Sequence, residues 1–424
     1  MGVKVAVVGG GSTYTPELVE GFVRRADRFP VDELVLLDPD PERLEVVGGL
    51  AGRMLERAGY GGRLLITADV DEAIDGASFV IVQLRVGGQS ARLLDETIPP
   101  RFGCVGQETT GPGGFAKALR TIPAVLGLAE LTARRAAPRA WIVDFTNPTG
   151  MVTQALLDEG HRAVGLCNVA INVQRRFAER FEVEPERVEL EHVGLNHLSW
   201  VRAVKVDGQD RLAALFDIRP EELAKEAGLP LELIRAIRAV PSYYLRYYYL
   251  TTEIVDAQRS GKERSRAEEV MSIESKLLEQ YRDPKLAEKP ALLERRGGAY
   301  YSEAAAQLVA SLASSTGDVQ VVNVRNGGAI PDLRRDDVVE VSATIDEYGA
   351  HPLPVAPLSE DMRGLVQHAK AYERLTIRAA VSGDRSVALK ALATNPLVPD
   401  YPTASAMLDA ILDANRTHLP RFRA

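Results

Sequence analysis

Cys167 and His197 lie 30 residues apart, each at the end of an apolar run. A thiolate and an imidazole together suit a borderline-soft divalent ion. The spacing is not that of a zinc finger, and two protein ligands leave positions open for substrate, as a catalytic ion needs. The plainer alternative is a small buried thiol and a hydrogen-bonded imidazole. Tyr243 to Tyr249 holds five tyrosines in seven residues, out of 13 in the chain. Ring packing accounts for most of them. One could serve as a general base if a nearby cation lowered its pKa from ~10, and Arg264 and Arg266 follow on the next helix. Asn147, in Asp144-Phe145-Thr146-Asn147-Pro148, can donate and accept, as a sugar hydroxyl or a carboxamide requires. It can also form a simple turn before proline. Glycines between Arg85 and Arg92, and from Gly106 to Gly114, either bring backbone close to a ligand or form a long loop, with Gln107, Glu108 and Thr109 interrupting them.

These residues need a scaffold, and the chain supplies one. Val3–Val8 is a short β-branched run that ends in Gly9-Gly10-Gly11-Ser12-Thr13 and enters a helix at Thr15-Pro16-Glu17. A strand, a glycine-rich turn and a helix N-terminus form a phosphate-binding arrangement, in which Gly9 and Gly11 admit a pyrophosphate. Tyr14 stands where the third glycine of the fingerprint belongs. Asp38 ends a second strand, Glu33–Leu37, 27 residues beyond Gly11, placed for a ribose hydroxyl. Its charge repels a 2′-phosphate and favours NAD over NADP. A glycine turn with Asp38 capping a helix is the simpler alternative. Further strands are expected near 64–67, 79–83, 141–145 and 163–167, with helices between them. That alternation predicts a Rossmann-type, doubly wound parallel sheet, covered on both faces, over residues 1–167. After about residue 170 the alternation weakens. Strands at 188–193, 199–206, 320–325 and 338–343, with helices at 221–239, 263–281, 358–382 and 404–417, predict an α+β domain over 168–424. The tail after Pro352 is expected to pack on that second domain.

The 424 residues suffice for two or three domains. A 46% apolar and 26% charged composition excludes a mainly disordered chain, and a net charge of −8 without a basic tract argues against nucleic acid as a partner. Two cysteines build no disulfide framework, which fits a reducing compartment. No apolar run reaches the ~20 residues that span a bilayer, and the N-terminus reads as a strand rather than a signal peptide, so the expected location is cytoplasmic, with no membrane partner.

The segments VAVVGGGSTYTPEL, RVGGQSAR, GQETTGPGGF, DFTNPTG, GLCNV, GLNHL, YYLRYY and NVRNGG run in that order from Val5 to Gly328. As a set they resemble the NAD- and metal-dependent glycosidases of glycoside hydrolase family 4. The Cys-Asn-Val form resembles the family's 6-phospho-β-glucosidase branch, whereas α-specific relatives carry an aspartate after the cysteine. Ala170 departs from the proline usual in that branch. The resemblance implies a lactate/malate-dehydrogenase-like fold and a hydrolase of phosphorylated disaccharides or aryl glucosides. In this scheme NAD⁺ oxidises the sugar at C3, a base removes the C2 proton, the C1–oxygen bond breaks by elimination, water adds, and the hydride returns. It implies Cys167 and His197 as ligands of Mn²⁺, and Tyr244 as the base, with Tyr247 as the fallback and Arg266 beside it. It also implies substrate contacts from Arg92, Asn147 and Asn168, and cofactor contacts from Gly9, Gly11, Ser12, Thr13, Asp38 and Arg85. Arginines are the expected holders of the 6-phosphate, with Asn172 and Asn326 as candidate helpers. A homodimer or homotetramer is implied. The alternatives are the same mechanism on an unphosphorylated or α-linked glycoside, and an NAD-dependent dehydrogenase.

Overall fold

The apolar, β-branched runs pair as strands, because each buries both of its faces. The computed structural model describes residues 2–262, 264–297, 300–314 and 317–422. Its strands are β1 (Lys4–Val8), β2 (Glu33–Leu37), β3 (Arg63–Thr67), β4 (Phe79–Val82), β5 (Trp141–Asp144), β6 (Ala163–Gly165), β7 (Val188–Leu195), β8 (Leu198–Val206), β9 (Gln209–Asp210), β10 (Val240–Pro241), β11 (Asp318–Arg325), β12 (Val338–Asp346) and β13 (Gly349–Pro352). The first six are parallel in the order 3-2-1-4-5-6. This is the doubly wound order, whose switch point lies between β1 and β4 and opens a crevice at the strands' carboxyl ends. Alternate residues feed two cores. Val5, Val7, Leu34 and Leu36 face one layer, and Ala6, Val8, Val35 and Leu37 the other.

β11, β12 and β13 extend this same sheet in antiparallel fashion, beginning at Asn323 opposite Gly165 of β6. The line expected at residue 167 therefore separates the parallel strands from the later ones but not one sheet from another. The α+β character resides in a second antiparallel sheet of β7, β8, β9 and β10, which covers its own core with Phe177, Phe216 and Ile234.

Three expectations change. The single helix at 221–239 is two, Pro220–Ala227 and Leu231–Ile237, because Gly228 turns the chain in the left-handed region at φ +65° before Pro230. The helix expected from residue 263 runs over Arg266–Tyr281, where Ser265 and Glu268 form a capping box; residue 263 lies outside the described residues. The tail packs on the second sheet at its start, where Leu358, Met362, Val366 and Ala369 share a core with Val193, Leu195 and Trp200 of β7 and β8, and then leaves it. Tyr372, Ile377, Met407 and Leu408 join the core of Ala6, Val80, Phe115 and Leu119 behind the parallel sheet. Its helices, Glu360–Ser382 and Tyr401–Ala414, brace the half of the molecule that carries the glycine-rich turn. Among the described residues no helix is long and apolar enough to cross a membrane.

Candidate active site

The crevice at the switch point is a cleft of about 1820 Å³. Gly9, Ser12, Asp38, Arg85, Arg92, Asn147, Asn168, His197, Tyr244 and Arg266 all line it. Gly11, Thr13 and Cys167 lie behind its wall, and each for a definite reason.

Gly9 has φ +92°, and a Cβ there would lie 2.7 Å from the Gln83 carbonyl oxygen, so the turn closes only around glycine. A Cβ on Gly11 would lie 2.8 Å from Asp38 Cγ. Its absence lets the Gly11 N–H donate to Asp38 Oδ2 at 3.0 Å, while Asp40 N–H donates to Oδ1 at 3.0 Å. Gly11 thus holds the acidic residue at the end of β2 rather than facing the cleft. Thr13 is fully buried. Its carbonyl accepts from the Tyr281 hydroxyl at 2.8 Å, and its Oγ1 lies 3.4 Å from Glu274 Oε1. In place of a third glycine, the Tyr14 ring faces the cleft with the Arg296 guanidinium 4.2 Å above it. Glu274 anchors Arg296 at 3.0 Å from its Nε.

At the end of β5, Asp144 is fully buried and accepts from Thr146 N–H at 2.8 Å and from the Thr153 hydroxyl at 3.1 Å. Burial pushes this carboxyl up to about 8, against the pull of those two donors. A folded pKa above the unfolded ~3.9 means that its stabilising contribution is complete below ~3.9 and is lost as pH rises through about 8. Asp144→Asn copies the protonated form. Its melting temperature is expected to fall less than the parent's between pH 5 and 9, the underlying stability difference growing by roughly 1.4 kcal/mol per pH unit between the two pKa values. Parallel melting curves against pH would show an ionised Asp144. Three residues on, Asn147 lines the cleft with a buried Oδ1 that has no partner. Such an acceptor awaits a donor from a ligand.

Glu108, a loop residue without a role assigned from its local pattern, is the electrostatic hub of the cleft. Its carboxylate meets Arg85, Lys117 Nζ at 2.6 Å and Arg92 Nε at 3.3 Å. Burial alone would raise its pKa, but the three cations hold Glu108 well below the usual carboxylate range. Burial lowers Lys117 to about 8. Arg92 is further fixed by Glu96 at 2.7 Å.

Cys167 ends the β6 segment as the N-cap of helix Asn168–Phe181, and His197 sits in the β7–β8 turn with φ +63°. Cys167 Sγ and His197 Nε2 converge to 3.4 Å. Two ligands at ordinary metal–sulfur and metal–nitrogen lengths stand roughly 3.5 Å apart on one ion, so the pair fits a shared cation. The imidazole is prepared for it. Gln107 Oε1 accepts the N–H groups of Thr109 and Thr110, each at 2.6 Å, which fixes that amide's orientation. The Thr109 hydroxyl then donates to Gln107 Oε1 at 2.9 Å and accepts from His197 Nδ1–H at 2.8 Å. His197 Nε2 is left with its lone pair toward Cys167. Burial lowers His197 to about 4, so the ring is neutral, as a metal ligand must be. Burial pushes the Cys167 thiol up to about 12. Among the described residues no cluster of three or more His, Cys, Asp or Glu side chains could hold an ion. A two-ligand site leaves its remaining positions to small molecules.

The Tyr244 ring stacks on His197 at 3.7 Å and 3° between planes, and Tyr247 lies 6.2 Å from Tyr244 between centroids. Burial, and then the neighbouring Cys167, Tyr247 and Glu108, raise the Tyr244 phenol, while Arg92 pulls it down. Tyr247 is raised to about 12, mainly by burial. The cation acting on Tyr244 is thus Arg92, not the Arg264 or Arg266 expected from sequence. Arg266 caps carbonyls instead, donating to Arg295 O at 3.0 Å and Arg296 O at 2.9 Å, and pairs with Glu269 at 2.8 Å. Asn172 donates to Asn168 O at 2.7 Å. Asn326 cannot help a phosphate: fully buried, its Nδ2 is spent on the carbonyls of Ile330, Leu333 and Arg334, and its Oδ1 on Ile330 N–H.

The family profile described as Family 4 glycosyl hydrolase matches residues 4–183, and that family's C-terminal domain matches residues 192–398. A Bacillus subtilis protein named as a probable 6-phospho-beta-glucosidase is 43% identical, covering 99% of this chain and 98% of its own length. The Thermotoga maritima 6-phospho-beta glucosidase, solved with manganese, NAD⁺ and glucose-6-phosphate, is 37% identical with a TM-score of 0.92, covering 98% of this chain and 99% of its own. Plasmodium falciparum malate dehydrogenase shares the fold alone, at 13% identity and a TM-score of 0.52 over 89% of this chain and 98% of its own.

Proposed function

The chain belongs to family 4 of the glycosyl hydrolases, and from that premise we propose that it is a cytoplasmic 6-phospho-β-glucosidase that splits phosphorylated disaccharides or aryl glucosides. The observation that carries this reading is the meeting of three groups at the wall of one cleft. Cys167 and His197 converge to 3.4 Å, and the Tyr244 phenol ring stacks on that imidazole. When bound, NAD⁺ takes a hydride from C3 of the sugar and later returns it, and Mn²⁺ held by Cys167 and His197 supplies a Lewis acid to the neighbouring sugar oxygens. Tyr244 removes the C2 proton once C3 is a ketone, and departure of the C1 substituent follows by elimination rather than by the two-carboxylate route. Asn147 Oδ1 accepts from a sugar hydroxyl, and Arg92 lines the same cleft. Arg246, Arg259 and Arg264 on the cleft offer donors for the 6-phosphate. Asp38 receives the ribose of NAD, and Gly9, Ser12 and Arg85 line the cofactor's path. Asn168 after Cys167 favours the β-linked substrate. Both cysteines are free, and a ligand that must stay a thiolate fits the reducing cytoplasm.

An NMR-followed reaction in D₂O tests the proposal. With NAD⁺, Mn²⁺ and a reductant, a β-glucoside 6-phosphate is expected to release glucose 6-phosphate carrying deuterium at C2, while the α-anomer and the unphosphorylated sugar react far more slowly. NADH accumulating in step with product would mark a dehydrogenase. Turnover of the unphosphorylated or α-linked control in preference would move the substrate assignment.

A further inference from the structure

Glu96 is a buried carboxylate in the wall of the cleft, and the scheme above gives it no task beyond holding Arg92. Its two oxygens serve two different elements. Oε1 accepts from Arg92 Nε at 2.7 Å, one turn back on the same helix, Gly88–Arg101. Oε2 accepts from the backbone N–H of Ala267 at 2.7 Å, 171 residues on. Ala267 is the second residue of the helix Arg266–Tyr281, whose first-turn N–H groups have no partner within that helix. Ser265 satisfies one of them, at Glu268, and Glu96 satisfies this one, bringing negative charge to the helix end that favours it. Both bonds of Glu96 are buried, so water does not replace a lost partner.

The carboxylate has little room to shift. A Cβ on Gly106 would lie 1.9 Å from the Glu96 carbonyl oxygen, so the loop presses on its backbone. The Gln258 side chain pins that loop, donating to Gly106 O at 2.7 Å and accepting from Gly106 N–H at 2.9 Å. The two ends that Glu96 joins both reach the cleft. Arg92 meets Glu96 and Glu108 through Nε, which leaves its two terminal nitrogens to a ligand. Arg264, three residues before Ala267, lines the same cleft, is exposed, and among the described residues makes no ion pair. Arg266 lines it too, but its guanidinium is spent on the carbonyls of Arg295 and Arg296 and on Glu269.

We propose that Glu96 is a positioning residue: it fixes the span between Arg92, the sugar contact, and Arg264, a donor to the 6-phosphate, and so sets the preference for a phosphorylated substrate. This rests on the 6-phospho-β-glucosidase reading given above. Both partners of Glu96 are donors. Glutamine offers one acceptor oxygen and turns an NH₂ toward the other donor, so it cannot hold both. Aspartate keeps the charge and both acceptors but is one methylene shorter, and cannot span the two.

The test measures kcat and KM on a β-glucoside with and without its 6-phosphate, using full-length protein loaded with NAD⁺ and Mn²⁺. The variants are Glu96→Gln, Glu96→Asp, Arg264→Ala and the double variant Glu96→Gln/Arg264→Ala, with NAD⁺ and Mn²⁺ affinities measured alongside. Glu96→Gln is expected to raise KM for the phosphorylated sugar about 10–100-fold, the scale of one buried hydrogen bond to a charged group. Its kcat should change far less, and KM for the unphosphorylated sugar and both cofactor affinities should stay close to the parent's. Glu96→Asp is expected to lose preference in the same direction. The double variant is expected to be no less selective than Arg264→Ala alone, because Glu96 acts through Arg264. A phosphate preference within about twofold of the parent's in either Glu96 variant would overturn the inference and leave the function reading standing. Should one of the two fail to fold, the other decides. Losses that multiply in the double variant would overturn it as well, as would equal losses on both sugars with weaker NAD⁺ binding, the mark of a purely structural role. A parent enzyme that takes the unphosphorylated sugar equally well would instead overturn the 6-phospho-β-glucosidase reading itself.

Discussion

Cys167→Ser is expected to lose Mn²⁺-dependent turnover by on the order of 10³-fold or more, with NAD⁺ affinity held. The argument starts from ligand chemistry. Serine keeps the size and shape of the side chain but offers a hard hydroxyl that does not ionise at neutral pH, where sulfur offers a soft thiolate. With two protein ligands only, losing one leaves His197 alone, and the several kcal/mol of Lewis-acid stabilisation go with the ion, at a tenfold rate loss per ~1.4 kcal/mol. The substitution itself should fold well. Cys167 is buried beside Leu166 and Ala170, and the exchange removes little volume. Nucleotide affinity should hold because the Gly9–Asp38 turn is built by contacts among Gly9, Gly11, Gln83, Leu37 and Asp38, none of which involves Cys167. The check is a pair of titrations, Mn²⁺ and NAD⁺, beside a turnover assay. Turnover at the parent rate in the serine variant would remove Cys167 from the metal site.

Much of this arrangement is legible in the residues, for a physical reason. Strands buried on both faces are continuous apolar runs, so β1, β2, β4 and β5 and the doubly wound order they build can be read locally. The residues that touch the crevice follow those strands within a few positions, which is why Asn147, Asn168, His197 and Asp38 surface together in the cleft. What stays hidden is set by pairing across long separations. That β11 joins β6 depends on Asn323 meeting Gly165, where a Cβ would lie 2.9 Å from Asn323 Cβ, and no local pattern specifies that partner. The supports of the site are hidden for the same reason. Thr109 fixes the His197 tautomer from 88 residues away, and Glu96 reaches Ala267 across 171. Glu108 offered a weak signal, an acid inside a glycine-rich run, but its three cations, Arg85 and Arg92 before it and Lys117 nine residues after it, meet it only once the loop has folded between its flanking helices. Arg266 shows the converse. Its spacing after the tyrosine run suits a partner for the base, yet its guanidinium satisfies two carbonyls at the end of a short helix, and Arg92 acts on Tyr244 in its place.

Tyr244→Phe is expected to cost about 10²–10⁴-fold in kcat, the range associated with losing a general base, while leaving Mn²⁺ and NAD⁺ affinities close to the parent's. The stacking geometry makes this a clean substitution. Phenylalanine keeps the ring that lies 3.7 Å from the His197 imidazole, so the ligand's orientation survives and only the phenolic oxygen is lost. Burial raises the Tyr244 phenol, which disfavours its ionisation, but the same burial makes the oxygen strongly basic once ionised. Ionisation then depends on positive charge arriving nearby. Arg92 provides part of it permanently, though Glu96 and Glu108 on either side offset much of its field. On the proposed reading a divalent cation beside His197 would supply the rest, so that Tyr244 would be competent as a base only in the loaded site. Tyr247→Phe is the comparator. Tyr247 lies one ring further out, with Arg246 5.9 Å above its centroid, and its loss is expected to change kcat by less than about tenfold. Measuring kcat for both variants, with deuterium incorporation at C2 in D₂O for each, distinguishes them. Loss of turnover and of C2 exchange in Tyr244→Phe alone places the base there; the reverse pattern would assign it to Tyr247, and full activity in both would mean that the C2 proton leaves to another group.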